Sequence, residues 1–534
     1  MNIAISKPLF AWDALEDSPS LQAVHASLLA IPDAALLASL REARGKGRDD
    51  YPVCCLWGTL LLSILLRHVT MQACLEDLTR NAGLRFLIGI EHEAQVPKPH
   101  NMSRFLETLG EEPHQTHLRR VFDVMVQRLG IAIPDFGKDT AGDSTALLGR
   151  AAESPKLLAA EIAQGLPQPS GGRKEYKDDD GTITKVVEWF GYKLHMLVDV
   201  HHEVVVAYHI TDTKAGDNDR IPELVYQAQR NLPENRIQTL AYDKAADDGA
   251  VHEFLHDEKI KPLIQNRNFK LQEPEKVLGG RTPLNVVYDQ SGTIYCYDKV
   301  SPEPIRHKMA YKGHEAERGT LKYRCPARHE GWTCPSDKTC NGEGKYGLSV
   351  RVKQEMDLRR FPPIPRATKK FEEMYKGRTS IERVNARLKI FWGLDDGQVY
   401  GSRRFHGHVG AVLVVHMALA TLLAKEPRRE GTLSKLRLSP IAEALDRMMR
   451  EDPGQTTSAE NCARRLVKAE PVATIAPRPA ELDVDAARPK PSVPGKVTSK
   501  SPSDGKKPSD GKKPSDGKKP SDGKKPSGAK NRVR

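Results

Sequence analysis

An α/β chain with a helical front is the fold class that the sequence predicts, and three observations carry it. From about residue 13 to 129 nearly every segment repeats its apolar residues at helical spacing. After Pro134 the texture changes to short β-rich runs separated by turns, and further on such runs alternate with helix-like stretches. Strands in succession, followed by strands alternating with helices, describe a mixed sheet covered by helices.

The helical front reads as "VCCLWGTLLLSILLRHV", "MQACLEDLTRNAGLRFLIGI", "NMSRFLETLG" and "HLRRVFDVMVQRLG". Pro97 and Pro99 interrupt it, and Asn101 or Ser103 is placed to cap the helix that follows. The strands read as "AGDSTALLG", "VEWFGYKLHMLVDV", "EVVVAYHITDT", "RIQTLAYD" and "IKPLIQN". Helices close the fold with "FHGHVGAVLVVHMALATLLAK" and "LSPIAEALDRMMRE". The expected divisions are an all-α region over 13–130, an α/β domain over 135–425, a C-terminal helix over 426–451 and a basic tail over 452–534. Connections of about 150–186 and 268–347 are too long for plain loops and read as insertions.

The second insertion holds Cys296, Cys325, Cys334 and Cys340. These could supply four thiolates for a tetrahedral Zn²⁺ that staples a loop-rich segment, with His329 as an alternative ligand. No CxxC knuckle is present, so scattered free thiols are the competing reading. Cys54, Cys55 and Cys74 sit among apolar residues and read as buried, inert thiols.

The chain has 534 residues, 39% of them hydrophobic, enough for a large core, and a net charge of +12. Residues 499–534 contain 12 Lys and Arg against 4 Asp, a balance of +8, which leaves +4 for everything before them. Any DNA-binding surface on the folded part therefore depends on local clustering. The tail repeats "SDGKKP", cannot bury a core and is expected to be disordered; its Lys pairs could neutralise phosphates or simply keep the chain soluble. No basic segment followed by a long apolar run opens the chain, so no secretory signal is read. The apolar runs 53–66 and 409–424 read as core helices, with no membrane association. Eight cysteines without an export signal fit a reducing cytoplasm.

Functional chemistry concentrates in "YKGRTSIERVNARLK", residues 375–389. At about 100° per residue, Tyr375, Arg378, Glu382 and Lys389 fall on one stripe about 60° wide. Ile381, Val384, Leu388 and Phe391 fall on the opposite side, facing a core. A solvated face laced by an Arg378–Glu382 pair is the plain alternative. Asp143 lies in the first strand and Asp243 ends another, where a carboxylate is costly unless it is paired, metal-bound or solvated in a cleft. Carboxylates meeting from separate elements would bind two hard ions, Mg²⁺ or Mn²⁺, as in phosphodiester cleavage. Arg378 and Lys389 would then hold phosphates, and Tyr375 would bond to one or stack on a base. Asp139 competes with Asp143, and Asp247 with Asp243.

The Tyr375-x2-Arg378-x3-Glu382-x6-Lys389 spacing resembles the Y-R-E-K signature of DDE transposases of bacterial insertion sequences. "GDSTAL" and "YDKAADD" resemble the two aspartate motifs of that family, although Ala245-Ala246 stands where a Gly-Tyr pair is common. "FGYKLHMLVD" and "VPKPHNMSRF" are also similar to family segments. The resemblance implies a ribonuclease-H-like catalytic domain with Asp143, Asp243 and Glu382 as the triad and two divalent ions. It further implies cleavage at transposon ends and strand transfer into target DNA by a dimer or larger complex. The N-terminal helices would read the terminal inverted repeats, and the setting would be the bacterial cytoplasm at the nucleoid. Alternatives are a ribonuclease-H-fold nuclease that does not join DNA and an inactive DNA-binding derivative.

Overall fold

The computed structural model describes residues 19–46, 50–178, 182–267, 273–279, 285–298, 300–396, 399–424 and 433. The chain divides into two units, Met1–Glu470 and Pro471–Arg534. The second unit, the expected tail and, apart from Leu433, the expected helix over 426–451 lie outside the described residues.

Seven helices lead: α1 (Pro19–Leu29), α2 (Ala34–Arg44), α3 (Val53–Leu65), α4 (Met71–Arg80), α5 (Ala82–Leu87), α6 (Pro99–Leu109) and α7 (His114–Ala132). Their apolar stripes bury Leu36, Leu40, Trp57, Leu61, Phe105, Phe122 and Met125 in one core. The buried Trp57 Nε1–H donates to Asp33 Oδ2 at 2.7 Å, so the indole loses nothing on leaving water. The α6 start differs from the expectation of an Asn101 or Ser103 cap. Pro99 occupies the first turn, where no N–H partner is needed, and Asn101 Oδ1 accepts the Lys98 N–H at 3.0 Å.

A six-stranded mixed sheet follows, with its covering helices in chain order: β1 (Asp139–Leu148), α8 (Pro155–Ala163), β2 (Ser170–Lys177), β3 (Ile183–Asp199), β4 (Val205–Asp212), α9 (Asp217–Asn231), β5 (Thr239–Tyr242), α10 (Gly249–Asp257) and β6 (Lys261–Ile264). The 150–186 connection thus contains a helix and a strand. The first half of β3 pairs antiparallel with β2 and its second half with β4, while β1 runs antiparallel along the other edge of that second half. β5 and β6 then add in parallel, which puts β1 in the middle of the sheet with Asp143 opposite Met196.

The second insertion builds two small antiparallel sheets. One contains β7 (Lys276–Val277), β8 (Val286–Tyr288), β9 (Ile294–Asp298) and β10 (Ile305–Lys308). The other contains β11 (Ala310–Glu315), β12 (Thr320–Arg324) and, after the short helices α11 (Pro326–Glu330) and α12 (Asp337–Asn341), β13 (Ser349–Lys353). Ile294, Leu321, Val350, Val352 and Phe361 form a core of its own. The folded insertion therefore runs past residue 347, because β13 pairs with β12 and Phe361 fills its interior.

Helices α13 (Lys369–Tyr375), α14 (Thr379–Trp392) and α15 (Ser402–Ala424) return the chain to the main core. By length and composition α15 could cross a membrane, yet it is almost wholly buried. It packs against α3, α6 and α7 of the helical front, and its Phe405 ring stacks on Tyr192 of β3 at 4.0 Å. The front helices and the sheet consequently share one continuous core.

Candidate active site

Asp143 lies in mid-sheet on β1, and Asp243 is the first residue beyond β5, two strands that pair directly. Glycine at 142 allows the approach of the two: a Cβ there would stand 2.2 Å from Cε2 of Tyr242, whose ring packs beneath the strand. Asp143 Oδ1 accepts the Ser144 N–H at 2.8 Å, and Asp243 Oδ1 accepts the Ala245 N–H at 3.0 Å in a short 3₁₀ turn. Burial pushes the Asp143 carboxyl up to about 6. The negative charges of Asp243 and Asp217 add to this, while the Ser144 N–H and the Arg378 guanidinium oppose it.

Tyr242 is 1% exposed, and its hydroxyl has no hydrogen-bond partner in the structure. Burial first, then the charges of Asp217, Asp143 and Asp243, hold its ionisation well above the usual phenol range. Asp217 was not singled out in the sequence. It opens α9 and pairs with Lys193 at 3.1 Å, a contact that depends on how α9 docks on β3 and leaves no spacing signature.

The signature stretch is not one continuous α-helix. Tyr375 ends α13, residues Lys376–Arg378 form a 3₁₀ turn, and Glu382 and Lys389 belong to α14. The tighter turn accompanies a close approach at Gly377, where a Cβ would stand 2.6 Å from Val200 Cγ1. The apolar face of α14 buries Ile381, Val384, Leu388 and Trp392, while Phe391 is only half-buried. Arg383 and Arg387 clamp the buried Glu203 and fix the helix against the β3–β4 turn.

Arg378 Nη2–H donates to Glu382 Oε1 at 2.8 Å. Its charge also reaches Asp143, and the half-buried Tyr375 lies within range of Arg378, Asp243 and Glu382. Tyr375, Arg378, Glu382, Asp243 and Asp143 thus form one electrostatic neighbourhood. Lys389 is committed elsewhere than expected for a free phosphate ligand. Its ammonium donates to Ala146 O at 2.7 Å and pairs with Asp395 at 3.2 Å, tying α14 to the strand that carries Asp143.

The competing carboxylates are otherwise engaged. Asp247 is fully buried and paired with Arg366 at 2.7 Å and Arg359 at 2.9 Å, which, with a His252 hydrogen bond, hold it far below the usual carboxylate range against the cost of burial. Asp248 caps α10 through the Ala250 N–H, and Asp139 accepts the Thr239 hydroxyl at 2.7 Å.

Among the described residues, no group of three or more His, Cys, Asp and Glu side chains stands ready-made to hold a metal ion. The donor chemistry at Asp143 and Asp243 nevertheless fits a hard divalent cation: carboxylate oxygens from two paired strands repel each other there, and the buried, unpartnered Tyr242 hydroxyl feels both charges. In the insertion the four cysteines do converge, around one small cavity. Burial first, and then Cys325, Cys334 and Cys340, push the Cys296 thiol up to about 12. His329 faces a different cavity, and the histidine that meets the cysteines is His307, another residue with no spacing signal in the sequence.

Residues 163–418 match the family model of the transposase DDE domain. The match includes Asp243, Tyr375, Arg378, Glu382 and Lys389 and begins after β1, so Asp143 lies outside it. A cryo-electron microscopy structure of a piggyBac transposase synaptic complex with hairpin DNA is 12% identical over 84% of this chain and 85% of that chain, with a TM-score of 0.32. No curated protein matches the chain.

Proposed function

We propose that this chain, a transposase carrying a DDE domain, cuts DNA at the ends of a mobile element and joins those ends to target DNA through Asp143, Asp243 and Glu382. The domain makes it a polynucleotidyl transferase and endonuclease of DNA transposition, an activity that depends on divalent metal. We read the sheet, antiparallel from β4 through β3 to β1 and then parallel through β5 and β6, as ribonuclease-H-like, and the chain as one of the Y-R-E-K insertion-sequence group. Its proposed partners are double-stranded DNA, as inverted repeats bound by the N-terminal helices and as target, and at least one further copy of itself in the bacterial cytoplasm.

The observation that carries the reading is the pairing of β1 with β5, which brings Asp143 beside the Asp243 of the matched domain. Mg²⁺ held by these carboxylates and Glu382 would activate a water or a 3′-hydroxyl and stabilise the departing oxygen. The chain supplies the alignment. Lys389 grips the Ala146 carbonyl and so holds β1 against α14, with Asp143 three residues away. Glu382 is restrained by Arg378 in a half-exposed ion pair, a kind of contact that contributes at most about 1 kcal/mol. A phosphate oxygen offers the guanidinium a stronger, bidentate partner. Arg378 therefore moves to the scissile strand when DNA binds, which frees Glu382.

Nicking and joining of an inverted-repeat duplex in Mg²⁺ tests this. Asp143→Ala, Asp243→Ala and Glu382→Ala are each expected to lower cleavage at least about a thousandfold while DNA binding persists. Wild-type-like nicking by Glu382→Ala would overturn the triad. Cleavage without joined products would identify a nuclease, and no cleavage by the wild type a binding protein only.

A further inference from the structure

The insertion brings together four cysteines that the acidic site does not use. Cys296 lies on β9, Cys325 sits between β12 and α11, Cys334 follows α11, and Cys340 lies in α12. All four line one cavity of about 20 Å³, which is room for a single water-sized sphere. Each is a free thiol. His307 is paired with Cys296 across β9 and β10 and lines the same cavity, and its Nε2 is buried with no hydrogen-bond partner. Asn285, 3% exposed, also lines it: the Nδ2–H donates to Cys340 Sγ at 3.4 Å, while Oδ1 is unpartnered. On the far side Asn341 Nδ2–H donates to Cys325 Sγ at 3.6 Å.

We propose that this cavity is a structural zinc site in which the Cys296, Cys325, Cys334 and Cys340 thiolates hold one Zn²⁺. Soft sulfur donors select zinc over the hard cations suited to the acidic site. An iron–sulfur cluster would need far more room than a single ion-sized space. Four unliganded thiols packed as small apolar groups would account for the burial but not for the buried His307 Nε2 left facing them without a partner. On binding, each thiol releases its proton to water, and the resulting tetrathiolate carries two negative charges. The amide N–H groups of Asn285 and Asn341 already point at sulfur, and the His307 Nε2–H adds a third donor to that charge. Among the described residues the four sulfurs are not already gathered at ligand spacing. Zinc held there would fasten the Cys334 turn and the short α12 to the β9–β10 ribbon. A small core of nine buried residues gains a cross-link that it otherwise lacks.

The full-length protein, purified without chelator from zinc-supplemented cells, is expected to contain about one zinc per chain by mass spectrometry of the metal. Cobalt exchange is expected to give the near-ultraviolet thiolate band of a tetrahedral sulfur site. Cys334→Ser/Cys340→Ser should lower the zinc content about tenfold or more, while Cys54→Ser and Asp143→Ala/Asp243→Ala leave it unchanged, which separates this site from the acidic one. Wild-type protein with less than about 0.1 zinc per chain, and with these thiols open to Ellman's reagent in the native state, would overturn the proposal. So would zinc retained by the double serine variant, and neither result depends on the variants' stability alone.

Discussion

Three residues separate Asp243 from Asp247, and their surroundings differ sharply. Asp247 neutralises Arg366, which is nearly buried, and Arg359 beside it, so its charge is structural. Asp247→Asn keeps the shape and strands the Arg366 guanidinium without a counter-charge, and is expected to destabilise the protein by about 3–5 kcal/mol in denaturant titrations. Tyr242 presents the reverse case, a buried hydroxyl left without a partner. Tyr242→Phe is expected to raise metal-free stability by about 1 kcal/mol. The gain should vanish in saturating Mn²⁺ if the hydroxyl serves the bound ion's water shell, and thermal melts with and without Mn²⁺ measure the difference. Tyr242 could be placed beside Asp243 by sequence adjacency, but its unpartnered hydroxyl shows only once its ring is packed in the sheet against Gly142.

Elements with a strong period were legible before any coordinates. The strand that leads to Asp243 is a short, mostly apolar run before turn residues, and α14 carries its core face at three- and four-residue spacing. The 3₁₀ turn at Lys376–Arg378 was not legible, because it answers to Val200 from a distant strand end. The extent of the insertion was hidden for the same reason, since β13 is identified by its partner β12 rather than by its own five residues. Helix α15 was read as a core helix, and its titration is a consequence of that burial. Burial pushes His406 down to about 4 and His416 down to about 3, from 6.5. The fold keeps both rings neutral, whereas the unfolded chain takes up protons below about 6.5, so stability is full above that pH and falls as pH drops toward 4. The slope is expected to reach about 1.4 kcal/mol per pH unit for each ring. Melting temperatures of the wild type and of His406→Gln/His416→Gln between pH 7 and 5 should therefore diverge, the variant being the less sensitive.

Across the whole molecule, the helical front and the sheet were expected as neighbours with a boundary near residue 130, and the structure gives them a common interior through α15. A fragment ending after α7 would expose the apolar surface that α15 covers. It is expected to show helical circular dichroism without a cooperative melt, and to bind a hydrophobic dye. A sharp melt of that fragment would show that the front stands alone. The insertion, with its separate core, is expected to add a distinct transition in calorimetry of the full chain.

The position of α15 along the polypeptide also orders events during synthesis. Residues 133–401 emerge from the ribosome between the front helices and the segment that seals their interior. The earliest-made helices must wait, partly open, until the last of the catalytic segment is translated, and such long-range closure is slow. A nascent chain interrupted before residue 402 would carry Asp143, Asp243 and Glu382 and still lack the plug that lets its beginning settle.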